Sequence, residues 1–286
     1  MTNTKSSFGG LTGDYASYDR SRIVVLPVPF DKTCTWLKGA GGGPKAIIDA
    51  SAHMEVYDIE TESEVYLEGI HTAKPVLAES SAQMIEETFG RVNAFLGDKK
   101  FVVTLGGEHS VSIGPVRAHK EFFRDMSVLH LDAHSDRREA YNNDPLSHAC
   151  AISRISEFVE NIVSVGIRSM DSSEVVGMDA EKIFFAHEIH DKKNWIPSVV
   201  KRLTKNVYVT VDLDVFDPAV MPSTGTPEPG GLGWYQVDDL LSAVAKKRNI
   251  VGFDVVELAP SESNKAPDFL AAKLVYRLLS EKFSRH

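Results

Sequence analysis

Short apolar runs separate longer amphipathic stretches along the whole chain. Several of these runs, such as VVLPV and FVVTL, are continuous rather than alternating in polarity. Continuous runs of this length are typical of β-strands that are covered on both faces, as in a parallel sheet flanked by helices. The sequence therefore predicts eight strands, at residues 23–28, 69–72, 101–105, 127–132, 162–167, 183–186, 207–212 and 250–256.

The stretches between these runs carry apolar residues at helical spacing. One face of residues 80–97 holds Met84, Ile85, Phe89, Val92 and Leu96. One face of residues 235–247 holds Val237, Leu240, Leu241 and Val244, and Pro267 opens a last predicted helix over residues 267–283. Strands that alternate with helices predict a three-layer α/β/α fold, in which helices cover both faces of a mainly parallel sheet of about eight strands.

The composition is that of an ordinary globular protein, with 43% hydrophobic and 25% charged residues among 286. No repeat or linker-like segment divides the sequence, so we expect a single domain over residues 1–286. Residues 1–20 are polar, and we expect them to be flexible or to contact another copy in an oligomer. No signal peptide or apolar run of membrane-spanning length is evident, and only two cysteines are present, which together favour the cytoplasm.

The formal net charge is −9, from 31 basic and 40 acidic residues. Such a charge argues against nucleic acid or an anionic membrane as the partner, and it tolerates a small cationic ligand. Acidic clusters, rather than basic patches, are therefore the candidates for a binding site.

Four of the predicted strands end in clusters of acids and histidines. The motifs are GGEHS at 106–110, DAHSD at 132–136, DLDVFDP at 212–218 and ELAP at 257–260. Ligands of an open parallel sheet bind beyond the carboxyl ends of its strands, so these motifs can meet in one site. If DAHSD continues its strand in extended form, Asp132, His134 and Asp136 all point to one face. The same alternation would align Asp212 with Asp214.

Carboxylates aimed at one point repel each other unless a cation lies between them. A lone DxD motif is more often a helix cap or a solvated loop, but two acid clusters and a strand-end histidine argue for a metal site. The candidate ligands are His109, Asp132, His134, Asp136, Asp212 and Asp214. A set rich in oxygen and free of thiolate suits Mn²⁺ better than a structural zinc site. Six ligands fit two ions that share carboxylates and hold a bridging hydroxide.

The chain resembles the ureohydrolases, the arginase and agmatinase family, in six motifs that follow the family's order. These are GGEHS (106–110), DAHSD (132–136), SHA (147–149), VDLDVFDP (211–218), STGTPEPGGL (223–232) and GFDVVEL (252–258). The resemblance implies an arginase-like fold, two Mn²⁺ ions, and a homo-oligomer such as a trimer or hexamer. It also implies hydrolysis of a guanidino group to an amine and urea by attack of the bridging hydroxide.

The resemblance further implies a role for each residue. The implied ligands of one ion are His109 and Asp136, those of the other are His134 and Asp214, and the shared pair is Asp132 and Asp212. Glu257 matches the acid that pairs with the guanidinium, and Thr226 matches a residue that contacts the same group. His148 matches a mobile histidine that shuttles a proton, a role that suits an imidazole with a pKa near 7.

The tail of the guanidino compound distinguishes members of the family. The loop RREAYNNDPL (137–146) departs from the arginase pattern, because Arg138 and Glu139 stand where arginases have smaller polar residues. Asp171, in GIRSMD, lies where an acid of the family can meet an ammonium group. These features favour agmatine as the substrate, with putrescine and urea as products.

Other activities stay open. Within the family they are arginase, an N1-aminopropylagmatine ureohydrolase, and a hydrolase of guanidino acids such as 4-guanidinobutyrate, for which Arg137 and Arg138 could seat the carboxylate. Outside it, a catalytically silent metal-bound scaffold would need a missing ligand, and a deacetylase-type amidohydrolase uses fewer acids around one zinc. The complete set of six ligands argues against both.

Overall fold

A computed structural model describes residues 7–176 and 178–284. Within this part of the chain, eight strands form one sheet: β1 (Ile23–Val28), β2 (Ile70–Thr72), β3 (Phe101–Gly106), β4 (Met126–Leu131), β5 (Ile162–Ile167), β6 (Ile183–Phe185), β7 (Asn206–Asp212) and β8 (Asn249–Val256). All eight predicted strands are confirmed, with ends within one residue of the predicted ones.

Every neighbouring pair of strands is parallel, in the order β2-β1-β3-β8-β7-β4-β5-β6. The chain leaves β3 and starts β4 three places away, and the two places between them are later filled by β7 and β8. The four central strands β3, β8, β7 and β4 are those whose carboxyl ends carry the acidic motifs. Because the strands are parallel, these motifs all emerge at the same edge of the sheet.

Helices cover both faces of the sheet. The described α-helices are α1 (Gly43–Ser51), α2 (Ser81–Gly97), α3 (Ile113–Phe122), α4 (Ala151–Ser156), α5 (Ala186–Ile189), α6 (Trp195–Arg202), α7 (Trp234–Lys247) and α8 (Ala266–Phe283). Successive strand residues face opposite sides, so Val25 of β1 shares an apolar core with α1 and α5–α8, whereas Val24 shares another with α2–α4. The predicted three-layer fold and the three predicted helices, α2, α7 and α8, are confirmed. Throughout the described residues, the helices fall short of the length and hydropathy that a membrane crossing requires.

Residues 7–20 lie against the sheet on the side of β2. Phe8 is fully buried, and its N–H donates to Thr72 Oγ1 at 2.8 Å. The Gly9 N–H donates to Ser51 Oγ at the end of α1, at 2.7 Å. This part of the amino-terminal segment is therefore held by the core, while residues 1–6 lie outside the described residues. The oligomer contact stays a prediction.

Gly107 lies directly after β3, where the backbone of Phe30 passes very close. A Cβ atom added to Gly107 would lie 2.0 Å from the Phe30 carbonyl oxygen, which belongs to the backbone and cannot rotate away. We therefore expect Gly107→Ala to lower the free energy of unfolding, measured in urea, by at least the ~1–3 kcal/mol typical of an overpacked core.

Gly90→Ala is the matched control, because Gly90 lies on the exposed side of α2 and an added Cβ meets nothing within 4 Å. Replacing a glycine inside a helix should raise the free energy of unfolding by about 0.5–1 kcal/mol. If the Gly107→Ala chain is as stable as the unaltered one, the backbone of Phe30 does not lie so close to Gly107.

Candidate metal centre

The six predicted metal ligands meet at the carboxyl ends of the central strands. His109 begins a 3-10 turn (His109–Ser112) just after β3, and Asp132 is the first residue after β4. Asp212 ends β7, and Asp214 lies in the 3-10 turn that follows (Leu213–Val215). Asp132, Asp136, Asp212 and Asp214 are all buried, as is His109.

Turns, not strand alternation, bring these side chains together. The strand β4 ends at Leu131, and Asp136 has a positive φ of 53°, so the extended geometry assumed for DAHSD is wrong. After β7, the carboxylate of Asp212 caps the next turn by accepting the Asp214 N–H at 2.8 Å. Asp and Asn tolerate such left-handed and capping conformations better than most residues, which is why the motif can turn here.

Three carboxylates surround one nitrogen of His109. Its Nδ1 lies 3.0 Å from Asp132 Oδ2, 3.1 Å from Asp136 Oδ2 and 3.5 Å from Asp212 Oδ2. His109 follows β3, Asp132 and Asp136 are the two ends of the motif that follows β4, and Asp212 ends β7. This group forms the first half of the candidate centre.

His134 and Asp214 form the second half. His134 Nδ1 lies 2.9 Å from Asp214 Oδ2 and 3.6 Å from Asp132 Oδ1. The other oxygen of Asp214 accepts the Ala133 N–H at 2.9 Å, which fixes the direction of the carboxylate. Asp132 therefore presents one oxygen to each half, the arrangement that a carboxylate shared between two ions requires.

A hydrogen-bonded chain behind His109 decides which ring nitrogen faces the carboxylates. Tyr208 Oη donates to Asp254 Oδ2 at 2.8 Å, and Thr210 Oγ1 donates to Asp254 Oδ1 at 2.6 Å. Because its hydroxyl hydrogen is used in this way, Thr210 must accept from His109 Nε2, 3.0 Å away. In the neutral ring, the lone pair of His109 then lies on Nδ1, which is buried and makes no hydrogen bond. Three carboxylates around an unprotonated nitrogen fit a metal cation.

The electrostatics lead to the same conclusion. Burial alone would lower the pKa of His134, but the carboxylates of Asp214 and Asp132 outweigh it and raise the pKa to about 12. Burial and the neighbouring Asp132 charge raise the pKa of Asp136 to about 6. Each shift draws a proton into the cluster, because the buried aspartates carry more negative charge than the site can otherwise balance. A divalent cation would supply that positive charge instead.

His130 supports Asp132 from beneath. Within the described residues, His130 lies close enough to His109 and Asp132 for the three to share an ion. However, its Nδ1 is 3.0 Å from Ser164 Oγ, and its Nε2 is 2.8 Å from Asp132 Oδ2. Burial lowers the pKa of His130 to about 4, so the ring is neutral. We interpret it as a buried, hydrogen-bonded histidine that orients Asp132.

Glu257 projects into the site from the end of β8. Its backbone has a φ of 65°, and its N–H donates to Gly107 O at 2.7 Å. Its Oε1 accepts the His109 N–H at 2.8 Å, so the side chain is held beside the first half of the centre. Burial, reinforced by the charge of Glu108, raises the pKa of Glu257 well above its ordinary value. The site thus favours a cationic partner for this carboxyl group.

Thr33 connects His148 to Glu108, a contact that the sequence did not reveal. Its N–H and hydroxyl each donate to the buried Glu108 carboxylate at 2.6 Å. The His148 N–H donates to Thr33 Oγ1 at 2.9 Å, and His148 Nδ1 lies 3.2 Å from the same oxygen. Burial, with the nearby His134, lowers the pKa of His148 to about 4. His148 is therefore a neutral imidazole at the side of the centre.

Most of the predicted site residues line one cavity of about 260 Å³. Its wall includes His134, Asp136, Asp212, Asp214, Glu257, Thr226, His148 and Asp171, together with Thr35, Arg138, Tyr141 and Glu174. Of the predicted site residues, His109 and Asp132 lie beneath the wall rather than on it. The buried Glu174, which the sequence did not single out, accepts the Asp171 N–H at 2.5 Å and positions that acid.

The fold and the site together define an α/β protein with a candidate two-ion centre at the carboxyl edge of a parallel sheet. A family model described as the arginase family matches residues 21–280. The chain belongs to this family, which confirms the resemblance seen in its six motifs, and it is a hydrolase.

Known proteins resemble the chain over nearly its whole length. It is 40% identical to the N(1)-aminopropylagmatine ureohydrolase of Thermus thermophilus, over 93% of this chain and 92% of the relative. It is 32% identical to the agmatinase of Pyrococcus horikoshii, over 90% of each chain. The solved agmatine ureohydrolase of Thermoplasma volcanium matches with a TM-score of 0.86 at 31% identity, over 97% of this chain and 94% of that one.

Asp214→Asn tests the second half of the centre. The amide loses the negative charge that faces His134, so we expect Mn²⁺ affinity to fall by at least the ~10–100-fold that loss of a supporting partner costs. Bound metal per chain is measured by mass spectrometry after dialysis. Asp191→Asn, at an exposed position remote in sequence from the motifs, should bind as the unaltered chain does. Unchanged Mn²⁺ binding by Asp214→Asn would contradict the assignment.

Proposed function

We propose that the chain hydrolyses the guanidino group of agmatine to give putrescine and urea, with two Mn²⁺ ions as cofactors. The observation that carries the proposal is the position of Asp132, with one oxygen toward His109 and the other toward His134. Glu257 lies on the wall of the same cavity. A shared carboxylate and a nearby acid for the guanidinium are the two features that this reaction needs.

The geometry supports one arrangement of ligands. His109 and Asp136 would hold the first ion, His134 and Asp214 the second, and Asp132 and Asp212 both. Aspartate and imidazole ligands without thiolate suit Mn²⁺. When bound, such a pair of ions makes hydroxide available at neutral pH, a nucleophile far stronger than water toward the resonance-stabilised guanidinium carbon.

Glu257 would orient the substrate. The carboxylate can accept two parallel N–H bonds from the planar guanidinium, which fixes the carbon toward the centre. Its backbone hydrogen bond to Gly107 and its contact with the His109 N–H hold it rigidly. Thr226 lies on the same wall and can contact the same group. A guanidinium beside Glu257 also balances the negative charge of this carboxylate, which burial alone disfavours.

His148 would shuttle a proton to the leaving amine, and because its ring is neutral it would first accept that proton and then pass it on. The ring lines the cavity, and Thr33 holds its backbone. His148 is also only partly buried, so its ring can exchange protons with bulk water. Asp171, at the outer part of the wall, would accept the ammonium at the far end of agmatine.

N1-aminopropylagmatine is the second candidate substrate. The Thermus thermophilus relative at 40% identity carries that activity in its name. Both compounds carry the same guanidino end, so the inner site described above serves either one. Acid-tailed compounds are less favoured, because Arg137 does not line the cavity and Arg138, which does, is paired with Asp171. Assembly as a trimer or hexamer and a cytoplasmic location stay predictions.

Urea release from four compounds, with Mn²⁺ present, tests the proposal directly. Agmatine, N1-aminopropylagmatine, arginine and 4-guanidinobutyrate share one reacting group and differ in the tail. We expect the two amine-tailed compounds to have the highest kcat/KM. A preference for arginine or 4-guanidinobutyrate would contradict the proposed substrate, and release from none would contradict the reaction.

Removal of the metal should abolish this activity. We expect treatment with a chelator followed by dialysis to stop urea release, and added Mn²⁺ to restore it, because the proposed nucleophile is a hydroxide that is available at neutral pH only with the metal. Urea release that survives a metal-free preparation, verified by mass spectrometry, would contradict the two-ion proposal.

Glu257→Gln separates substrate binding from metal binding. The amide keeps the shape of the side chain but cannot form a charged pair with the guanidinium, so we expect kcat/KM to fall by about 100-fold or more. Bound Mn²⁺ should stay unchanged, since Glu257 is not among the proposed ligands. Glu262→Gln, at an exposed position five residues further on, is the control. Full turnover by Glu257→Gln would place the guanidinium elsewhere.

A further inference from the structure

Arg138 is the sole lysine or arginine among the described residues that line the acidic cavity. Its guanidinium Nη1 lies 3.4 Å from Asp171 Oδ2. Its Cζ lies 4.9 Å from the centre of the Tyr141 ring, and that ring packs edge-on against His148. The guanidinium of Arg138 therefore already pairs with Asp171, the acid that is proposed to bind the substrate's tail.

The backbone around this pair is fixed by Glu174. This buried carboxylate accepts the Ser135 hydroxyl at 2.6 Å and the Arg137 N–H at 2.8 Å with one oxygen. With its other oxygen it accepts the Asp171 N–H at 2.5 Å. The loops that carry Arg138 and Asp171 are thus held together through Glu174, independently of contact between the two side chains.

The pair itself can open. The side chains of Arg138 and Asp171 are 33% and 39% exposed, and an ion pair that solvent screens in this way contributes little to stability. The Ser173 hydroxyl and N–H occupy Asp171 Oδ1, which leaves Oδ2 for Arg138 or for another cation. An ammonium group can therefore replace the guanidinium at Oδ2 at small cost.

We propose that Arg138 and Asp171 act together to select the charge of the substrate's tail, an inference that rests on the proposed guanidino hydrolysis. An amine-tailed compound displaces Arg138 and binds Asp171. A carboxylate-tailed compound meets the Asp171 charge, and Arg138 cannot compensate because Asp171 already neutralises it. Asp171 then provides the preference for amines, and Arg138 moderates it, because an amine must first displace the guanidinium.

Two single substitutions should shift the preference in opposite directions. In Asp171→Asn the acid is lost and Arg138 is released, so we expect the ratio of kcat/KM for agmatine over 4-guanidinobutyrate to fall by about tenfold or more. In Arg138→Gln the acid is freed, so we expect the same ratio to rise. The changes should lie mainly in KM, because the tail is held equally in ground and transition states.

Arg117→Gln is the matched control. Arg117 also pairs with an acid, Glu86, and also lies over an aromatic ring, with its Cζ 4.0 Å from the centre of Phe89. It joins α3 to α2 and does not line the cavity. We expect its substitution to leave the substrate ratio unchanged. Bound Mn²⁺ and thermal midpoints, measured for every variant, show that the inner site and the fold are intact.

The possible results distinguish a failure of the proposed role of Arg138 and Asp171 from a failure of the proposed reaction. If the unaltered chain hydrolyses agmatine but neither substitution changes the ratio, the pair does not select the tail. A lower ratio in Arg138→Gln would also overturn the inference, because it would mean that Arg138 helps to hold the amine and does not compete with it for Asp171. If the unaltered chain releases urea from none of the four compounds, the proposed reaction fails first, and the pair loses its role with it.

Discussion

Repulsion among buried carboxylates is the constraint on which the rest of the structure depends. Asp132, Asp136, Asp212 and Asp214 lie within one cluster, and an isolated buried carboxylate is strongly destabilising. Backbone N–H groups satisfy some of the oxygens, as Ala133 does for Asp214 and His134 does for Asp132. His109 and His134 face one oxygen of each of the four aspartates. Without a cation the cluster takes up protons, so the fold holds these acids in readiness for a metal.

The order of the strands makes this concentration of charge possible. The central positions of the sheet are shared by two early strands, β3 and β4, and two late ones, β7 and β8. Short turns at the ends of these strands then suffice to bring distant parts of the chain into contact. Glu257 and His109 illustrate the result, because a single hydrogen bond joins residues that are 148 positions apart.

Much of this arrangement could be predicted from the sequence, because continuous apolar runs reveal buried parallel strands and the acidic motifs follow those runs directly. The conformation of the motifs could not, since DAHSD looks extended and in fact turns at Asp136. The support behind His109 was also missed. Thr210 and Asp254 are polar residues within apolar strands, which is a usable signal, but their contact depends on the register in which β7 pairs with β8. Register between distant strands is not evident from one sequence.

The site has a rigid inner end and an adjustable outer end, and this division bears on how specificity arises. At the inner end five of the six proposed ligands are buried, and hydrogen bonds hold several of them, so a small displacement would disturb several contacts at once. At the outer end, Arg138 and Asp171 are half-exposed, and Glu174 keeps their loops in place whether or not the two side chains touch. A change of side chain there can alter the tail that is accepted without moving the reacting groups. Relatives of this chain that carry different substrate names can therefore share one inner site while differing at its entrance.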